Sequence, residues 1–137
     1  MANTIVIPQG TTIIEAEAFA HRADITAITI PDSVTVIDDN AFFDCPELET
    51  IVVPDSVRCI RDRAFFGCIK LESIILPNSL IEIGEEAFEA CYALKSIVIP
   101  DCTSLIRGWA FNDCKKLRTV TLSNALTEIA EKTFYCK

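Results

Sequence analysis

Cysteine is the residue type in this chain with the widest choice of chemistry. Seven cysteines are present, and four of them recur at intervals of 23 residues: Cys45, Cys68, Cys91 and Cys114. Cysteine pairs form disulfides, and sets of four bind structural zinc. The C-x-x-C pair that is common in zinc sites does not occur in the sequence.

The equal spacing of these four cysteines argues against both uses. If successive repeats stack as parallel strands, the four side chains lie in a line with neighbours about 4.8 Å apart. Parallel side chains supply poorly the torsion of about ±90° that a disulfide needs, and ligands in a line do not surround zinc as a tetrahedron. We therefore interpret the four as small buried hydrophobic residues. The cysteines outside this spacing are expected to carry exposed thiols: Cys59, Cys102 and Cys136.

The other residues with catalytic potential form no recognisable set. His21 is the one histidine, and no nucleophile lies among its sequence neighbours. Cys45, one repeat further on, belongs to the buried register. The adjacent carboxylates Asp38–Asp39 and Glu85–Glu86 fall where the chain turns outward, which is typical of a solvated edge, and the four glycines form no phosphate-binding loop. We predict a protein that is not an enzyme and has no metal site and no cofactor.

The elements that position these residues follow from a repeat that fills the chain. Phenylalanine returns every 23 residues, at Phe19, Phe42, Phe65, Phe88, Phe111 and Phe134. Isoleucine does the same, at Ile14, Ile37, Ile60, Ile83, Ile106 and Ile129. Proline and alanine hold two further registers until the last copy, which has Ser123 and Thr133 instead. A fixed period of this length indicates a stacked repeat architecture.

One repeat, Leu48 to Cys68, shows how a unit folds. Apolar residues alternate up to Val53, which predicts a half-buried strand. Pro54 ends it because proline offers no N–H to a ladder, and the polar residues that follow favour a turn. The apolar spacing of three to four residues after Val57 predicts a short helical turn. Such a unit cannot bury its own apolar edge, so the copies must stack on one another.

These residues resemble a known family. The pattern L-x-x-I-x-I-P, followed by I-x-x-x-A-F-x-x-C, is similar to the BspA-type leucine-rich repeat of surface proteins from anaerobic bacteria and some protozoa, over nearly all of 4–136. The resemblance implies a right-handed leucine-rich-repeat solenoid, β-rich, with a parallel sheet on the concave face and short helical turns opposite. It also implies protein binding or cell adhesion. We expect a single domain over 1–137 with six repeats, at about 4–24, 25–47, 48–70, 71–93, 94–116 and 117–137.

Composition and charge narrow the choice of partners. The net charge of −8 disfavours nucleic acid as a main partner, and no apolar run approaches the roughly 18 residues of a membrane span. Residues 1–57 hold ten acids and one base, whereas residues 58–137 hold ten acids and eleven bases. This asymmetry fits either drift in solvated faces or a polar solenoid that associates end to end. Self-association, or a role as one segment of a larger repeat protein, is therefore the alternative to binding a protein partner.

The predicted outer face of the sheet is the candidate binding surface. Along each strand the residue between two inward apolar ones points outward, and the residue two positions earlier shares that face. The face combines exposed aliphatic residues with small hydroxyls and is framed by a row that changes from acidic to basic (Glu49, Glu72, Lys95, Arg118). Contiguous exposed apolar surface often marks an interaction site, although β-propensity alone also selects such residues. The candidate residues on this face are Thr29, Val52, Ile75, Val98, Thr121, Thr50, Ser73, Ser96 and Thr119.

Trp109 completes the candidate set, and the compartment stays open. Trp109 occupies the register that holds Arg63 and Glu86 in the two preceding copies, so it either anchors a partner or packs over Arg107. The first residues show no basic and apolar segments of a signal peptide, whereas the family implies a surface or secreted location. Free thiols in this number are compatible with a reducing compartment such as the cytoplasm.

Overall fold

The computed structural model describes residues 3–126, 128–130 and 132–136, and it shows a parallel β-solenoid. Twelve short strands occur in the described residues, two in each turn of the chain, and we call each such turn a coil. Their bounds are β1 Thr4–Val6, β2 Ile13–Ile14, β3 Ala27–Thr29, β4 Val36–Ile37, β5 Thr50–Val52, β6 Cys59–Ile60, β7 Ser73–Ile75, β8 Glu82–Ile83, β9 Ser96–Val98, β10 Leu105–Ile106, β11 Thr119–Thr121 and β12 Glu128–Ile129.

Strands of neighbouring coils pair in parallel with a constant offset of 23 residues. Ile5 lies opposite Ile28, and Ile106 lies opposite Ile129. The two-residue strands form one six-stranded sheet in chain order from β2 to β12. The three-residue strands form a four-stranded sheet, β1-β3-β5-β7, and a separate pair, β9-β11. The stacked solenoid expected from the repeat is therefore confirmed.

The core consists of the repeated apolar registers. Phe42, Phe65 and Phe88 are fully buried, and their rings stack with centroids 5.2 Å apart and planes within 12° of parallel. Identical side chains stack well because each adopts the same rotamer as the copy next to it. Stacking of the aromatic rings adds a favourable term to the burial of apolar area. The repeat therefore specifies one continuous core instead of six small ones.

The predicted helical turns are wrong: the described residues contain no helix, and the segment around each Ala-Phe pair is a run of turns. Two residues in each of the first five coils adopt positive φ there, for example Asn40 at 57° and Asp44 at 55°. Between them the amides alternate in direction. The Phe42 N–H donates to Ala64 of the next coil at 2.8 Å, whereas the Phe43 N–H donates to Asn40 three residues back at 3.1 Å. The hydrogen bonds within a coil fit the apolar spacing of three to four residues. The hydrogen bonds to the next coil take up the amides that a helix would need.

The four equally spaced cysteines are free and buried, as predicted. Each Sγ donates to the phenylalanine carbonyl of the preceding coil, as Cys68 does to Phe42 at 3.3 Å. Burial raises the pKa of the Cys45 thiol to about 11 and that of Cys114 to about 12. Cys102 and Cys136 are exposed and Cys59 is half-buried, close to the expectation for the other three.

Candidate functional site

The candidate surface is the outer side of the three-residue strands. Val52, Ile75 and Val98 expose 63%, 66% and 62% of their surface, whereas Ile51 and Val53 beside Val52 expose only 3% each. This alternation is the period-two geometry of a strand with one buried face. The predicted outward orientation is observed for all nine strand residues of the candidate set, which are exposed: Thr29, Thr50, Val52, Ser73, Ile75, Ser96, Val98, Thr119 and Thr121.

Two rows run across the coils on this surface. The strand register places Val52 opposite Ile75, and Thr50 opposite Ser73. An aliphatic row and a hydroxyl row therefore lie side by side. In the second coil, Ala27 takes the place of serine or threonine in the hydroxyl row. It lines a shallow depression of about 310 Å³ together with Thr29, Thr50 and Val52. The surface offers both apolar area and short hydrogen-bonding groups without long flexible side chains to order.

The aliphatic row crosses an interruption in the sheet. Among the described three-residue strands, β7 and β9 are the one pair of sequential neighbours that forms no ladder. The amide of Lys95 still reaches the Glu72 carbonyl, at 3.4 Å, and the side chains of the same two residues approach to 4.0 Å. The side chains of Lys95 and Glu72 are 64% and 63% exposed, respectively, so this ion pair contributes little stability. The acidic and basic parts of the framing row meet at this interruption.

Trp109 does not lie on this surface. It follows β10 in the turn segment, is half-buried, and adopts φ 62°. Its ring lies edge-on to Tyr135 at 6.3 Å, and the Nζ of Lys132 is 4.9 Å from its centroid. Packing over Arg107 was one of the two alternatives for Trp109; the Arg107 side chain donates to Glu82 at 2.8 Å. The ten candidate residues therefore form two separate places, nine on the sheet and one in the turns.

Sequence reasoning missed the neighbours of Trp109. Glu86, Trp109 and Lys132 are 23 residues apart, and so are Glu89, Asn112 and Tyr135, which makes two adjacent columns on the turn side. The periodic spacing would have grouped them, but the exposed registers of a solenoid vary so much in residue type that no single motif marks them.

The geometry around the remaining reactive residues disfavours nucleophilic catalysis. His21 Nδ1 lies 3.1 Å from Asp44 Oδ2, and both side chains are more than half exposed. A catalytic cysteine needs a lowered pKa, whereas that of Cys45 is raised, mainly by burial. In the part of the chain that the structure describes, no group of three or more histidine, cysteine or acidic side chains could hold a metal ion. No helix in those same residues is long and apolar enough to cross a bilayer.

Fold and surface together define the class of this protein as a leucine-rich-repeat solenoid. The sequence matches the BspA type leucine-rich repeat region over residues 2–58 and 35–137, with six copies, and the chain belongs to that family. Solenoids of this kind are generally not enzymes, and the family suggests a protein-interaction module. No curated protein sequence matches the chain significantly.

Solved bacterial structures share the fold. A leucine-rich repeat protein from Bacteroides ovatus is 35% identical, with a TM-score of 0.87 over 93% of this chain and 35% of its own. A leucine-rich repeat protein from T. pallidum is 34% identical, with a TM-score of 0.85 over 87% of this chain and 58% of its own. A leucine-rich cell surface protein from Faecalibacterium prausnitzii is 26% identical, with a TM-score of 0.59 over 96% of this chain and 44% of its own. The chain thus spans between about a third and three fifths of the length of these relatives.

Proposed function

We propose that this chain is a non-catalytic interaction module that binds a protein partner, at a cell surface and in an adhesive role, through the outer face of its three-residue strands. The observation that carries the proposal is the contiguous aliphatic row of Val52, Ile75 and Val98, each more than 60% exposed. Isolated exposed aliphatic residues are common on soluble proteins, but a contiguous row marks an interaction surface more often. The similarity to a solved cell surface protein supports the location.

The surface also suggests how specificity arises. The hydroxyl row beside the aliphatic row supplies hydrogen bonds at low entropic cost, because serine and threonine have short side chains. The framing row orients a partner, since Glu49 and Glu72 attract basic groups at one end, whereas Lys95 and Arg118 attract acidic groups at the other. The partner that fits is therefore a protein with an apolar centre and, along one edge of it, basic groups that face Glu49 and Glu72 and acidic groups that face Lys95 and Arg118.

Replacing Ile75 by glutamate tests this proposal. A central anchor of an interface contributes about 2 kcal/mol or more, so we expect binding to weaken at least about 30-fold. The fold should persist because Ile75 is 66% exposed. The measurement uses biosensor affinities against an array of purified extracellular bacterial and host protein domains, with circular dichroism as the check on folding.

Ile69 provides the matched control, because it is also an exposed isoleucine, at 41%, but lies outside the strands. Ile69→Glu introduces the same charge and should leave the affinity unchanged. Any domain that binds the parent chain and the Ile75→Glu variant equally well does not use this face, and that result would refute the proposal.

A second candidate function, self-association, has one specific observation in its favour. At one end of the solenoid, the first coil forms an apolar depression of about 270 Å³, lined by residues that include Ile5, Ile14 and Phe19. At the other end, the last coil exposes Ile129 and Phe134. These residues share registers, so a second copy stacked end to end would place Phe134 against Phe19 and Ile129 against Ile14, as between neighbouring coils.

Light scattering under reducing conditions tests this second candidate. Stacked copies give a mass above 15.1 kDa that increases with protein concentration. The acidic first part and the more basic remainder attract one another, so added salt should lower that mass. A strict monomer at high concentration and low salt would exclude end-to-end association.

A further inference from the structure

The turn side of the solenoid holds a cleft that the sheet face does not involve. Its volume is about 380 Å³, and three successive coils build it from two columns of side chains. The lining residues are Glu86, Trp109, Lys132, Glu89, Asn112 and Tyr135.

Two walls of the cleft are aromatic and meet at a right angle. The planes of Trp109 and Tyr135 are inclined by 82°, with centroids 6.3 Å apart. The Lys132 ammonium lies 4.9 Å from the centroid of Trp109 and 5.3 Å from that of Tyr135. One cation therefore contacts two ring faces at once, within the distance at which the ring quadrupole attracts it. The two walls already act as a cation receptor for a residue of their own chain.

The same columns do not build such a corner in earlier coils. Phe43 and Phe66, which precede Glu89 in its column, stack nearly parallel at 4.9 Å and 10°, so they leave no space between their faces. Lys115 lies 5.3 Å over Tyr92, but there a single ring contacts the cation. Among the described residues, two rings at a right angle that share one ammonium group therefore occur only in the cleft around Trp109.

Two carboxylates complete the cleft. Glu86 accepts a hydrogen bond from Arg63 at 3.0 Å, and Glu89 accepts one from Asn112 Nδ2. Asn112 is only 4% exposed, and its Oδ1 finds no hydrogen-bond partner among the described residues, which is unusual for a buried polar atom. The cleft thus combines aromatic faces, acidic groups and an unsatisfied amide.

We propose that this cleft binds an alkylammonium group, and that the ligand takes the place that the Lys132 side chain occupies between Trp109 and Tyr135. Aromatic corners closed by carboxylates recognise methylated and primary ammonium groups, because the rings attract the charge without requiring it to be fully hydrated. Lys132 is itself exposed on a flexible stem, so it can leave the corner without disturbing the core. The ligand is either a free small amine or a lysine side chain of another protein.

The ionisation of Glu89 links this binding to pH. The pKa of Glu89 is raised to about 7, mainly by partial burial and next by its hydrogen bond with Glu86. The hydrogen bond from Asn112 opposes this shift, and the charges of Glu86 and Asp113 add to it. The charged groups around Glu89 are thus Glu86, which is paired with Arg63, Asp113, and the lining residue Lys132. The displaced Lys132 ammonium stays on the chain, so a bound ligand adds one positive charge to the cleft, favours the ionised carboxylate and releases the proton to solvent. Affinity should therefore rise with pH, by up to about tenfold between about pH 6 and about pH 8.

The single tryptophan of the sequence makes the site directly observable. The emission of Trp109 is followed while tetramethylammonium chloride, butylammonium chloride or a lysine-containing peptide is added to the full chain. Sodium chloride at equal ionic strength and the uncharged neopentyl alcohol serve as ligand controls. A saturable change with an ammonium compound, absent with both controls, is the expected result. A preference for tetramethylammonium would indicate a small amine as ligand, and a preference for the peptide would indicate a lysine side chain.

Removal of the internal cation gives the sharper test. Lys132→Asn eliminates the competitor with a residue that tolerates positive φ, which position 132 requires at 57°. Release of two ring contacts corresponds to about a tenfold gain in affinity. Lys115→Asn, which removes the single-ring contact elsewhere, should change nothing, and Tyr135→Ala should abolish the response. No saturable response in either the parent chain or Lys132→Asn, or an equal response to neopentyl alcohol, would overturn the proposal.

Discussion

Replacing Phe88 by alanine should lower the free energy of unfolding by about 3–5 kcal/mol. Phe88 is fully buried in the fourth of six stacked coils, and its ring lies 5.2 Å from Phe65 on one side and 5.2 Å from Phe111 on the other, within 3° of parallel to both. Truncation leaves a large cavity that the two neighbouring coils cannot fill, because backbone hydrogen bonds fix their separation. Urea denaturation followed by circular dichroism measures the loss.

Phe134 is the matched control, since it occupies the same register in the last coil. Among the described residues it stacks on Phe111 alone, and it is 36% exposed. Phe134→Ala should therefore cost less than half as much as Phe88→Ala. If both substitutions lowered the free energy of unfolding equally, or if Phe88→Ala cost well under about 1 kcal/mol, stability could not depend on a continuous stacked core.

Gly84→Ala is expected to be the second large effect, with a loss of about 3 kcal/mol. A Cβ atom at this position would lie 2.5 Å from the carbonyl carbon of Arg61 and 2.6 Å from the amide nitrogen of Asp62 in the preceding coil. Both are backbone atoms, and the Gly84 amide already donates to the Ile60 carbonyl at 2.7 Å. A methyl group there forces the two coils apart and weakens this hydrogen bond. Thermal and urea denaturation of the purified variant measure this.

Gly67→Ala separates that steric effect from the ordinary cost of replacing glycine. At Gly67 a Cβ atom would be at normal contact distance, 3.7 Å from Asp44, but φ is +74°. Alanine there suffers only from the left-handed conformation, about 1–2 kcal/mol. A smaller loss for Gly84→Ala than for Gly67→Ala would mean that the coils at Gly84 move apart easily.

The strands, their pairing and the core follow directly from the sequence, because each depends on residues that repeat every 23 positions. The outward orientation of Val52, Ile75 and Val98 follows from the same period of two. The turn segment does not. Its apolar spacing is compatible with a helix, and apart from Gly67 the positive φ values that exclude a helix fall on residues other than glycine, such as Arg63, Glu86 and Trp109. Stacking on neighbouring coils imposes these conformations, so they cannot be deduced from one repeat in isolation.

The cleft around Trp109 was missed for a related reason. Its residues come from three coils, and their relation is visible only when the coils are superposed. Tyr135 lies 26 positions after Trp109, one period plus three, and the non-helical turn places its ring edge-on to that of Trp109. The conformation that contradicted the predicted helical turn is the same one that builds the corner.

The missing ladder between β7 and β9 has a mechanical consequence. Each interface between coils contributes its own term to the stability of a solenoid. The fourth and fifth coils are joined by the β8-β10 pairing, the phenylalanine stack and hydrogen bonds between their turns, but they lack the second ladder. We therefore expect this seam to open first when the described coils are pulled apart along the axis, which would separate the first four coils from the last two. Ile75 and Val98 lie on opposite sides of the seam. A partner bound across Ile75 and Val98, as proposed above, would therefore also reinforce this interface against separation.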